Sequence, residues 1–344
     1  TQYLGQKNHE MANKSARQAL FIITAISVFI VVLGLAFRAP LLSFIFGKVD
    51  ADVMKNSMVY FFYTVLSYPF IALYDAGASI FRAQENTRGP MVISIISNVM
   101  NIVGNGILIW VFHMGVAGAA ISTLVSRIFC AVVVLYQLRK DRQPIVVRDY
   151  LKIRPDGKMI GRILALGIPS GIENSMFQLG KLAIQSTVST LGTTAIAAQA
   201  MTNMLEMLNG TAVIGVGIGL MTVVGQSLGA GKKNEAVYYM KKLMIFSEVF
   251  LIACCAVVYV LARPITMIGG MEAKSAEMCL DMMFWITIVK PIVWMFAFIP
   301  AYGMRAAGDV KFSMITSCIT MWTFRFCLCV YLIRVCGMGP MAVW

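Results

Sequence analysis

TQYLGQKN at residues 1–8 and FRAQENTRGPM at residues 81–91 return, in the same order, as GQSLGAGKKN at 225–234 and GMRAAGDVKFSM at 303–314. Both pairs are separated by about 223 residues, and GVAGAA at 115–120 is echoed at nearly that distance by GMGPMA at 337–342, so the chain reads as two copies of one unit. Between these landmarks the sequence is apolar in long runs. A helix needs roughly 20 apolar residues to cross a bilayer. Nine stretches meet that length, near 18–37, 56–81, 91–112, 116–138, 163–190, 194–226, 241–262, 275–303 and 312–335. Six crossings lie between each landmark and its echo. An even number leaves both copies the same way up, which predicts parallel repeats about an axis along the membrane normal.

Composition agrees with lipid as the main solvent. Hydrophobic residues make up 59% of the 344, charged residues 13%, and mean hydropathy is +0.77, whereas a soluble domain carries about 25% charged residues. The opening eighteen residues are polar and lack the apolar core of a secretory signal. Thr1 is not an initiator and Trp344 ends an apolar run, so a longer protein of twelve spans is expected, with two before Thr1 and one cut at Trp344. The eight cysteines mostly fall within apolar runs without metal-ligand spacing and read as small apolar fillers. No cofactor is expected.

The net charge of +13 might suggest nucleic acid, but its distribution gives a simpler account. Of the 29 Lys and Arg, 19 fall in the loops holding Lys7 to Arg17, Arg82 to Arg88, Arg139 to Arg162, Lys232 to Lys242 and Arg305 to Lys311. Loops on the other side hold six: Arg38, Lys48, Lys55, Arg263, Lys274 and Arg334. Cytoplasmic loops retain positive charge. The start of the chain is therefore expected in the cytoplasm, with the protein in the plasma (bacterial inner) membrane and no nucleic acid as partner. The polar segment RKDRQPIVVRDYLKIRPDGKMIGR, residues 139–162, divides the copies. The expected organisation is a partial helical bundle at 1–140, a basic cytoplasmic linker at 141–162 and a second bundle at 163–344.

Taken in order, QYLGQKN, FRAQENTR, NVMNIVGN at 98–105, GVAGAA, LGIPSG at 166–171, GQSLGAGKKN and MRAAGD resemble the multidrug and toxic compound extrusion (MATE) family, within the superfamily that also includes oligosaccharidyl-lipid and polysaccharide exporters. The match extends over essentially the whole chain. The resemblance implies an all-α polytopic fold of two six-helix bundles forming a V around a central cavity. It also implies secondary active export of cationic or amphipathic small molecules, driven by inward sodium or proton flow. A monomer is expected.

A charge in the membrane interior is costly and needs a partner or a wet cavity. Nine such groups stand in the predicted spans: Asp75, Glu173, Glu206, Glu248 and Asp281, with Arg127, Lys181, Lys290 and Arg325. On span five, Asn174, Gln178 and Lys181 share one helical face with Glu173 at its margin; on span six, Gln199, Asn203 and Glu206 do the same. Counting from the LGTT turn places Lys181 and Glu206 at one level, which predicts a pair between them, either an ion-coupling and substrate site or a structural clasp. Glu173 stands near Pro169 and Gly171, where freed carbonyl oxygens beside a carboxylate suit a hard cation, so sodium near Glu173 or Glu206 is the one metal considered. Asn98, Asn101 and Asn105 give span three an amide face that either lines a cavity or bonds a neighbouring helix. Lys290 precedes Pro291 in span eight, with Asp281 nine residues earlier. Arg127 and Arg325 stay protonated and suit structural pairing or gating.

Some members of the family place an acid about three turns before the RxxGD string; Trp294 stands there in this chain. Catalysis is disfavoured: GQSLGAGKK fails the phosphate-loop spacing, and HExxH is absent. A lipid-linked oligosaccharide flippase is the competing expectation, since it shares the bundle.

Overall fold

Hydrocarbon offers no partner for a free peptide group, so an apolar chain in a bilayer must close its hydrogen bonds within each segment. Every apolar run of this chain is accordingly helical in the computed structural model, which describes residues 1–46, 50–140, 144–147 and 154–344. Among the described residues nine long helices follow one another: α1 (His9–Ala36), α2 (Ala51–Ala83), α3 (Arg88–Val111), α4 (Gly115–Leu138), α5 (Gly157–Ser189), α6 (Thr193–Gly229), α7 (Lys233–Ile268), α8 (Ala273–Ala307) and α9 (Val310–Arg334). Short helices at Gln2–Gly5 and Arg38–Phe46 and a turn at Gly339–Val343 accompany them, with no strand among the described residues. The chain is an all-α polytopic membrane protein. Eight of the nine helices are long and apolar enough to cross a membrane; α5 is 33 residues long but falls outside that apolar set. Its polar face, predicted from Asn174, Gln178 and Lys181, dilutes its hydropathy.

The repeated motifs mark helix ends. Helix α1 starts at His9 and α7 at Lys233, while α2 ends at Ala83 and α8 at Ala307, about 224 residues apart in each case. Within MRAAGD, Gly308 takes φ +96°, the left-handed conformation that closes a helix. Asp309 then accepts a hydrogen bond from the Phe312 N–H at 3.3 Å and caps α9. In the first copy Asn8 caps α1 by accepting from Met11 N–H at 3.0 Å.

By internal contacts the chain forms two units, residues 1 and 3–163, and residues 2 and 164–344. The core of the first unit gathers Leu20 of α1, Phe81 of α2, Ile93 of α3, and Val134 and Leu138 of α4. Ile145 and Val147, from the segment expected as a linker, join that core. The Val147 N–H donates to Leu138 O at 3.0 Å, and the Ile145 N–H donates to Gln84 Oε1 at 2.9 Å. Lys48 and residues 141–143 and 148–153, also read above as loop and linker, lie outside the described residues.

Helix α2 breaks at Ser67, ahead of Pro69, into segments Ala51–Leu66 and Tyr68–Ala83. Ser67 is fully buried there; its hydroxyl donates to Thr64 O at 2.6 Å and accepts from Arg127 Nη1 at 2.5 Å. Arg127 thus clasps the break from α4. The amide face of α3 is a seam with α4: Asn101 Nδ2 donates to Thr123 Oγ1 at 3.2 Å, Ser122 Oγ to Asn101 O at 3.0 Å, and Asn105 Nδ2 to Asn101 Oδ1 at 3.2 Å. Asn98 is exposed and stands apart from the seam. In the second unit α6 packs along both α7 and α8, over apolar clusters that include Leu205, Cys279, Met282 and Met283, and Val213, Leu220, Leu251 and Ile299. The eight cysteines are free, and Cys130, Cys255, Cys279 and Cys329 are buried.

Candidate cation site in the second bundle

Two carboxylates inside the second unit each meet one fixed cation. Glu173, on α5, has a buried side chain. Its Oε1 lies 2.8 Å from Arg305 Nη2 and accepts from Ser317 Oγ at 2.8 Å and Ser313 Oγ at 3.3 Å. The two serines stand four residues apart on the first turns of α9, hence on one face. Arg305 comes from the last turn of α8, immediately before the left-handed Gly308, so the MRAAGD string both ends a helix and delivers the partner of Glu173. The Tyr302 ring lies 5.5 Å from the guanidinium. An ionised carboxylate with three donors is well satisfied, and a guanidinium stays charged across the physiological range.

Glu206, on α6, meets Lys290 of α8, with Nζ 2.5 Å from Oε1 and 3.3 Å from the Glu206 carbonyl oxygen. The ammonium also lies 4.3 Å from the centre of the Trp294 ring, one helical turn along α8, and Trp294 stacks on Phe298 at 4.1 Å. Such a face attracts cations through its quadrupole. The Glu206 side chain is 21% exposed and that of Lys290 only 7%. Gly210 stands beside the ammonium: a Cβ there would lie 3.6 Å from Lys290 Nζ, an ordinary contact distance. Beside Gly210, Asn209 is fully buried and neither polar atom of its amide finds a partner.

This corrects the pair expected between Lys181 and Glu206. Depth counting along two helices fixes a level but not a rotation about the helix axis, and α6 turns Glu206 toward α8. Lys181 is exposed, with its ammonium 5.0 Å from the Phe177 ring. Asn174 and Gln178 are exposed on the same face, and Asn174 Nδ2 donates back to Ser170 O at 2.8 Å. On α6, Gln199 is buried and accepts from Trp344 Nε1 at 3.2 Å, while Asn203 is exposed. Asp281 is exposed on α8. Polar side chains exposed at membrane depth call for water rather than lipid beside them.

Sequence reading singled out Glu173, Glu206 and Lys290 but missed how they are partnered. Ser313 and Ser317 carried a usable signal, their four-residue spacing on one face of span nine. Arg305 was hidden because its motif was read as a loop cation. Asn209 carried no signal at all. Arg325 lies in a π-helical stretch, Thr320–Phe326, within α9, between the Phe177 ring at 5.9 Å and the Trp344 ring at 6.0 Å.

Compared with known proteins, the chain matches the MatE family over residues 1–107 and 169–331. It is 22% identical, over 99% of its length and 73% of the relative's, to "Probable multidrug resistance protein NorM" of Thermotoga maritima. It is 25% identical, over 93% of its length and 70% of the relative's, to "Probable multidrug resistance protein YoeA" of Bacillus subtilis. Its fold is similar, with a TM-score of 0.91 at 17% identity over all of this chain and 76% of the other, to an outward-facing structure of a multidrug resistance MATE family transporter of the MOP superfamily.

Proposed function

The chain belongs to the MatE family, and on that premise we propose that it exports organic cations across the plasma membrane in exchange for an inward-moving proton or sodium ion. The observation that carries this reading is the Glu206 seat: a partly exposed carboxylate beside the Trp294 face, within a bundle of membrane-spanning helices. A carboxylate and an aromatic face together select for cations, and the apolar surroundings favour those with apolar substituents. The relatives' names speak of multidrug resistance and point the same way.

Exchange requires that substrate and ion binding oppose each other. Lys290 and Arg305 already neutralise the two acids, so an incoming cation must compete with a charge that the protein itself supplies. Glu173, ringed by Arg305 and two serine hydroxyls, is the second coupling candidate and offers the oxygen-rich surroundings that sodium prefers.

Efflux of a fluorescent organic cation from proteoliposomes, under an imposed proton or sodium gradient, tests the reading. The expected result is gradient-driven export that fails in Glu206→Gln, in Glu173→Gln or in both. Absence of cation movement under either gradient would sink it and favour the lipid-linked oligosaccharide flippase.

A further inference from the structure

We propose that Lys290, rather than a carboxylate, carries the exchanged proton, and that Glu206 is a seat which either the Lys290 ammonium or one organic cation occupies, never both. This deepens the export reading and rests on it. Lys290 Nζ sits within 2.5 Å of Glu206 Oε1 and 4.3 Å from the Trp294 ring centre, the two features that recognise an organic cation, so the ammonium stands where the substrate's charge would go. Glu206 is the more open partner, which lets a cation approach from its exposed side while Lys290 reaches it from within.

Charge conservation in a low-dielectric interior decides which group gives up the proton. Lys290 pairs with Glu206 of α6; the charges of both, with those of Glu248 and Cys254 on its own helix, reach Cys255 of α7, and that of Glu206 reaches Arg325 of α9. Protonating Glu206 would leave Lys290 and Arg325 as two uncompensated cations. If an organic cation enters and Lys290 releases a proton, the local charge is unchanged. In that step the Lys290 N–H bond breaks, the electron pair stays on Nζ, and the proton passes to water on the exposed side of Glu206. The neutral amine, displaced from the carboxylate, still needs a hydrogen-bond partner. Asn209 supplies one: it adjoins Gly210, against which Nζ lies, and both polar atoms of its buried amide are unclaimed. The Glu173 pair cannot work in this way, because Arg305 does not release its proton.

Tetraphenylphosphonium, a cation with no proton of its own, separates the outcomes. Its binding to the purified protein would be measured by calorimetry from pH 6 to 8.5, with proton release followed by a pH dye in weak buffer. The expected result is about one proton released per cation bound, with affinity rising about tenfold per pH unit while Lys290 is protonated. Lys290→Met should bind without proton release and with pH-independent affinity. Should that variant fail to fold, Lys290→Arg keeps the ion pair, and it should lose both proton release and proton-driven export. Release of a proton by the Met or Arg variant, or binding to wild type without release, overturns the proposal while leaving export standing. Binding to neither wild type nor Lys290→Met overturns the export reading and the proposal with it.

Discussion

Glu206 of α6 and Lys290 of α8 stand 2.5 Å apart, whereas Lys181, at the same depth by helix counting, is exposed on α5. The two lysines should therefore differ in what they contribute to the fold. Lys181→Ala should unfold at the wild-type midpoint in detergent. Glu206→Ala, which leaves a buried ammonium without its counter-charge, should lose about 3 kcal/mol. Equal midpoints for the two variants would contradict the pairing.

Arg305 should matter through Glu173. Arg305→Gln leaves a buried carboxylate with two serine donors and no counter-charge, a loss of about 3–5 kcal/mol. The double variant Arg305→Gln with Glu173→Gln removes both charges and should recover most of that loss. Thermal unfolding of the four proteins gives the coupling energy directly.

Along α6, Gly217 and Gly215 make a contrasting pair. A Cβ at Gly217 would stand 2.6 Å from two carbons of the Tyr302 ring, and nothing lies within 4 Å of one at Gly215. Gly217→Ala should cost about 1–3 kcal/mol through displacement of the ring. Gly215→Ala should be tolerated, and the unfolding midpoints would show the difference.

In the first unit, stability and transport should separate on one helix face. Asn101→Ala removes the bonds to Thr123 and Asn105 and should cost about 1 kcal/mol. Asn98 is exposed, so Asn98→Ala should leave stability unchanged; any effect it has should appear as altered efflux.

At the head of α5, Lys14 forms an ion pair with Asp156, which also accepts from the Lys158 and Met159 N–H groups at 3.0 and 3.2 Å. These contacts, that of Lys14 above all, hold the Asp156 carboxyl below its ordinary value. A carboxylate so depressed contributes stability above its unfolded pKa, near 3.9, and the contribution fades as pH falls through the lower folded value. The midpoint difference between wild type and Asp156→Asn should hold from pH 7 to 5 and shrink below pH 4.

Much of the fold was legible because it depends on composition and period. Apolar runs set the helices, and the echo of FRAQENTR in MRAAGD set matching helix ends in the two copies. The same local chemistry placed Gly308 and Asp309 at a helix junction, since a left-handed glycine and a capping aspartate act within a few residues. Hydropathy could also find every acid and base buried in the apolar runs. Tertiary structure alone decided which charge each one meets. Ion pairing depends on the rotation of each helix about its axis and on side-chain reach across an interface, and neither leaves a mark on the sequence of a single helix. That is why Glu206 went to Lys290 instead of Lys181, and why Arg305, read as a loop cation, turned out to hold Glu173.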